Sequence, residues 1–141
     1  MDVTFALLNV ATLPWWGSML LFPRTPATVR LVTSPWPFVA LAGVYAVLLL
    51  AALAGGDAPA SLEASALARA AASPAGFLTL WTHVVALDLF AGTWIFRDAR
   101  YYGRLPRVEL LLTWFAGPVG LGLYLWRRRA WRGPGGARVV N

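Results

Sequence analysis

Residues 81–100 read WTHVVALDLFAGTWIFRDAR. A helix needs about 20 predominantly apolar residues to cross a bilayer, and this stretch meets that length. Yet it sets His83 and Asp88 inside the apolar run, where an ionisable group is costly unless it has a partner or a chemical task. On a helix advancing about 100° per residue, Trp81, Asp88, Gly92 and Ile95 share one side, and His83, Phe90, Trp94 and Arg97 share another. His83 and Asp88 fall about 140° apart, so they are not an i,i+4 pair. Each is expected to find a partner on a different neighbouring helix, or to share a polar cavity open to both. This makes the stretch the central helix of a bundle, with His83 and Asp88 buried.

The surrounding sequence keeps the same character. Of 141 residues, 59% are hydrophobic and 13% charged, and the mean hydropathy is +0.62. Those values put the chain in the membrane class and not among water-soluble domains, and the helical spans read below make it an all-α integral membrane protein. Cysteine is absent, which excludes disulfides, thiolate metal sites and a cysteine nucleophile; no metal site is expected. The 12 basic residues are all arginine, a usage that points to a GC-rich bacterial genome. They flank apolar spans, which reads as anchoring at a membrane surface and argues against nucleic acid as a partner.

Four transmembrane spans are expected, within one membrane domain over 1–132 followed by a basic, Gly-rich tail over 133–141. The first runs to Phe22 and lacks a basic leader and cleavage site, so it is read as retained. Trp15 and Trp16 in its middle read as packing residues. Arg24 to Pro37 reads as a short connection broken by Pro23, Pro26, Pro35 and Pro37. The second span covers Phe38 to Ala54. Ser61 to Ala72 is too short and polar to cross and reads as a brief interfacial helix.

The third span is Phe77 to Phe96, and the last is Leu110 to Trp126. In the last, Pro118 should kink the helix, while Gly117 and Gly120, like Gly92 in the third, allow close helix packing. Four spans place both termini on one side. The arginines then tie: Arg24, Arg30, Arg97, Arg100, Arg104 and Arg107 on one face, Arg69 and five after Trp126 on the other.

Two readings attach to the polar groups. An imidazole and a carboxyl inside a membrane can donate and remove protons on a lipophilic substrate, making His83 and Asp88 catalytic candidates. Arg97 and Asp98, at the end of the same helix, would position a polar head group. The structural alternative is that His83 and Asp88 hydrogen-bond neighbouring helices and fix their packing, and that the span-end charges are solvated anchors.

The combination Trp81, His83, Asp88-Leu89-Phe90, Gly92, Trp94-Ile95, then Arg97-Asp98-Ala99, then Gly117-Pro118 with Gly120-Leu121 and Tyr124, resembles the neoxanthin-synthase-like family. These are small membrane proteins known from the abscisic-acid-deficient plant phenotype, together with their bacterial relatives. The resemblance implies a four-span protein that binds or modifies a carotenoid. Opening a carotenoid epoxide to an allene needs an acid at oxygen and a base at carbon, roles the resemblance assigns to His83 and Asp88. It makes Trp81, Phe90, Trp94, Arg97, Asp98 and Tyr124 the substrate- or pigment-binding positions, and a bound carotenoid the cofactor-like ligand.

The competing reading is a non-catalytic accessory subunit of a bacterial photosynthetic pigment–protein complex. Its support is the eight tryptophans and the basic surfaces. Either reading places the protein in a bacterial inner or intracytoplasmic membrane.

Overall fold

A computed structural model describes residues 2–56, 59, 61 and 63–131. Among these the secondary structure is helical throughout: α1 (Asp2–Leu21), α2 (Pro26–Thr33), α3 (Trp36–Ala54), α4 (Ala64–Ala72), α5 (Pro74–Tyr101) and α6 (Arg107–Arg128). Four segments are long and apolar enough to cross a membrane: α1, α2 together with α3, α5 and α6. The all-α membrane class read from the sequence is therefore what the protein adopts. The tail over 133–141 lies outside the described residues.

The helix boundaries follow from local chemistry. The connection expected at Arg24 to Pro37 instead holds α2. Thr25 caps it, its Oγ1 accepting from the Thr28 backbone N–H at 3.3 Å. Pro26 is the first residue inside, where the missing N–H costs nothing. Likewise α3 begins at Trp36, two residues earlier than expected, because Pro37 sits in the first turn. The interfacial helix begins at Ala64 after Glu63.

The third span extends to 28 residues. It starts at Pro74, with Ser73 Oγ accepting from the Gly76 N–H at 3.0 Å, and ends before Gly103, whose φ of 66° suits glycine.

The chain divides into two compact units, Met1–Ala11 with Pro35–Ala86, and Thr12–Ser34 with Leu87–Asn141. In the first, the start of α1 packs its Phe5 ring 5.0 Å from Trp81 and 6.1 Å from Phe77 on α5. In the second, Trp16 is buried, stacks on Trp114 at 5.8 Å, and lies against Gly92, where a methyl group would meet its ring at 2.5 Å. Trp15 donates its indole N–H to the Leu31 carbonyl at 3.0 Å. Both tryptophans thus serve packing.

The second unit holds the main departure from a simple bundle. Ala116 has φ −149° and ψ 59°, which breaks α6 into halves over 107–115 and 117–128. Pro118 does more than kink a continuing helix: it opens a new one, in the first turn after the break. The halves run back along one another. Glu109 and Arg127 are 18 residues apart in sequence, about 27 Å on a straight helix, yet Arg127 Nη1 lies 2.6 Å from Glu109 Oε1. A side chain at Gly120 would collide with the Thr113 backbone and meet the Glu109 carbonyl at 2.6 Å. Gly120 is therefore glycine because two backbones approach there.

Candidate functional site

α5 sorts its polar groups by face. Gly92 and Ile95 are buried and Asp88 half-buried, whereas His83, Phe90, Trp94 and Arg97 are exposed. The helical-wheel grouping is what the structure shows, but the burial expected of His83 is not. Its stripe points outward, because the packed face of α5 is the one carrying the small and aliphatic residues Gly92, Ile95 and Ala99.

Asp88 belongs to the second unit. Its carboxylate lies against Gly117, directly after the α6 break, and any side chain there would strike it. Among the described residues the carboxylate has no hydrogen-bond or ion-pair partner. A carboxylate without a partner inside a membrane segment is a candidate functional group.

His83 belongs to the first unit. Its ring lies 5.9 Å from that of Tyr45 on α3, tilted by 45°. Both line a cavity of about 200 Å³ whose walls are otherwise Phe38, Leu41, Ala42, Thr82 and Ala86. Thr82 Oγ1 donates to the Leu78 carbonyl within its own helix at 2.7 Å, which leaves His83 and Tyr45 as the other lining residues with polar groups. Trp81 stacks on Phe77 and has a buried indole N–H with no acceptor among the described residues.

Asp98 sits ten residues after Asp88, about 15 Å further along the helix, and is committed to structure. It accepts from the Tyr124 hydroxyl and from Arg128 Nη2 at 3.1 Å, and Arg128 Nε lies 2.7 Å from its Oδ2 as an ion pair. Tyr124 is fully buried, edge-on to Trp94 at 5.6 Å and to Trp131 at 5.4 Å. Arg97 instead lines a second cavity, of about 230 Å³, with Arg100, Phe96, Val29, Val32 and Thr33. Phe90 is exposed at 59%, Gly117 is buried and Pro118 exposed.

The sequence reading passed over Glu109, buried beside Arg127, Arg128, which ties the α6 end to Asp98, and Tyr45. Glu109 and Arg128 stand outside the expected last span, Leu110 to Trp126. Tyr45, the single polar interruption of the second span, was the available signal for the His83 cavity.

Long apolar helices, a helix broken within its apolar run, and a carboxylate facing the break define a polytopic α-helical membrane protein with a polar centre inside its hydrophobic segments. The chain belongs to the ABA4-like family, ABA DEFICIENT 4-like, whose family model matches residues 3–124. Membership suggests a carotenoid-related membrane protein. No curated protein and no solved structure matches the chain.

Proposed function

We propose that the protein binds a carotenoid in a bacterial membrane and isomerises it by proton transfer, with Asp88 as the proton-transfer group and His83 as a second titratable group lining an apolar cavity. The observation that carries this reading is the Asp88 carboxylate, without hydrogen-bond or ion-pair partner among the described residues, beside the α6 break. An isomerisation of an epoxide to an allenic alcohol needs no oxidant or reductant. The epoxide oxygen is protonated as its C–O bond breaks, a carbon-bound proton is removed, and the electron pair shifts to form the cumulated double bonds. A carboxyl group suits both steps, as the acid and then, once ionised, as the base. The His83 cavity, walled by Phe38, Leu41, Ala42 and Ala86, offers apolar contact of the kind a polyene or its end ring requires.

The test is pigment analysis. Asp88→Asn and His83→Gln variants are expressed in a carotenoid-producing bacterial host, membrane levels are matched by immunoblot, and extracted pigments are separated by chromatography. Loss of product with Asp88→Asn, at wild-type protein levels, supports the reading. Pigment composition unchanged by either variant, against an active wild type, overturns it.

A further inference from the structure

The described arginines on either side of α6 gather at one end, and the fold-back of α6 causes this. Arg128 Nη2 is 3.5 Å from the Tyr102 hydroxyl, the Trp131 ring is 5.9 Å from that of Tyr102, and the Arg104 guanidinium lies 5.9 Å over Trp131. The residues that follow α6 therefore lie beside the loop that precedes it. A straight helix of 22 residues would put them about 33 Å away. The turn after α1 shares this end, since Arg100 Nη1 donates to the Pro23 carbonyl at 2.7 Å.

We infer that the last apolar segment is re-entrant: it enters and leaves on the same face, the chain crosses the bilayer three times, and its arginine-rich face lies on the cytoplasmic leaflet against anionic phospholipid headgroups. The inference stands independently of the carotenoid reading. With both ends of α6 on one face, the six-to-six tie of the four-span count disappears. Arg24 and Arg30, the four arginines between positions 97 and 107, and Arg127 to Arg129 share a face, while α1 begins with Asp2 and α5 is preceded by Glu63 and Arg69 at the opposite ends of their helices. Cytoplasmic connections carry the excess of basic residues, so the N-terminus faces the other compartment.

The surface also has a fitting pocket. The cavity of about 230 Å³ is lined by Arg97 and Arg100 beside Val29, Val32 and Phe96. Such a mix suits a phosphodiester with the first carbons of its acyl chains below it.

The chain has no cysteine, so single cysteines report topology directly. Thr4→Cys, Gly103→Cys and Ala130→Cys variants are treated with a membrane-impermeant maleimide in intact spheroplasts and after permeabilisation. The expected result is labelling of position 4 in intact spheroplasts and of 103 and 130 only after permeabilisation. Positions 103 and 130 on opposite faces would overturn the re-entrant segment, and both labelled in intact spheroplasts would overturn the orientation.

For the headgroup site, native mass spectrometry compares retention of phosphatidylglycerol and phosphatidylcholine of matched chains. A several-fold preference for phosphatidylglycerol, lost in an Arg97→Gln, Arg100→Gln double variant that keeps its labelling pattern, is expected. Equal retention of the two lipids would overturn it.

Discussion

The contact between Glu109 and Arg127 gives the most direct test of the α6 hairpin. The side chains are 3% and 47% exposed and lie 2.6 Å apart. Breaking a fully buried ion pair costs about 3–5 kcal/mol, and an exposed pair is worth about 0.2–1 kcal/mol. A buried carboxylate facing a half-exposed guanidinium falls between, so a coupling energy of about 1–3 kcal/mol is expected. The single substitutions should be unequal. Arg127→Gln strands a buried carboxylate, whereas Glu109→Gln leaves an arginine that still reaches water. The double variant should therefore be more stable than Arg127→Gln alone.

The assay is reversible unfolding in mild detergent with increasing dodecyl sulfate, followed by the fluorescence of the eight tryptophans for the wild type, both single variants and the double variant. On a straight α6 the two positions would be about 27 Å apart, and sites so distant add within about 0.5 kcal/mol. Additivity within that margin would refute the hairpin.

Two further outcomes follow from the same packing. Gly120→Val should lower stability by about 3 kcal/mol, at the upper end for overpacking, because the opposing atoms include the backbone of Glu109 and Thr113, which cannot swing aside. Gly122→Val, with nothing within 4 Å, should change little in the same unfolding assay. Tyr124→Phe removes the hydroxyl donated to Asp98 and should cost about 1.5–3 kcal/mol, as for hydrogen bonds to charged groups, in that assay; loss below about 0.5 kcal/mol would show that Arg128 alone satisfies Asp98.

The apolar runs made the helical membrane class legible, since length and hydropathy alone set it. The angular grouping on α5 was legible too, because a helix fixes which residues share a side. Which side turns outward was not, and His83 shows why: a stripe holding Phe90 and Trp94 reads equally well as core or as lipid contact when both surroundings are apolar. α2 was hidden by its prolines. Pro26 stands where a helix accepts it, after the Thr25 cap, but four prolines in and beside the segment read first as breakers. The α6 hairpin was hidden more deeply. Gly117-Pro118 announces a break, yet whether the chain continues or doubles back depends on the backbone angles of Ala116, which composition does not encode. Glu109 stayed unread for the same reason, since only the reversal brings Arg127 to it.

The break and Asp88 make physical sense of each other. Irregular backbone at membrane depth leaves N–H and C=O groups without helical partners and is tolerated only when buried in protein or lining a polar cavity. A carboxylate at that depth needs polar surroundings for the complementary reason. Gly117, the first residue after Ala116, is buried and has no side chain, and the Asp88 carboxylate occupies the space a side chain would take. The glycine therefore lets a costly carboxylate on α5 face a costly segment of backbone on α6. A continuous α6 would present Asp88 with a sealed helix surface, and a hydrophobic residue at 88 would leave the broken ends with no polar side chain against Gly117. Each feature alone would be a defect in a membrane helix, and together they form a polar centre within the apolar segments.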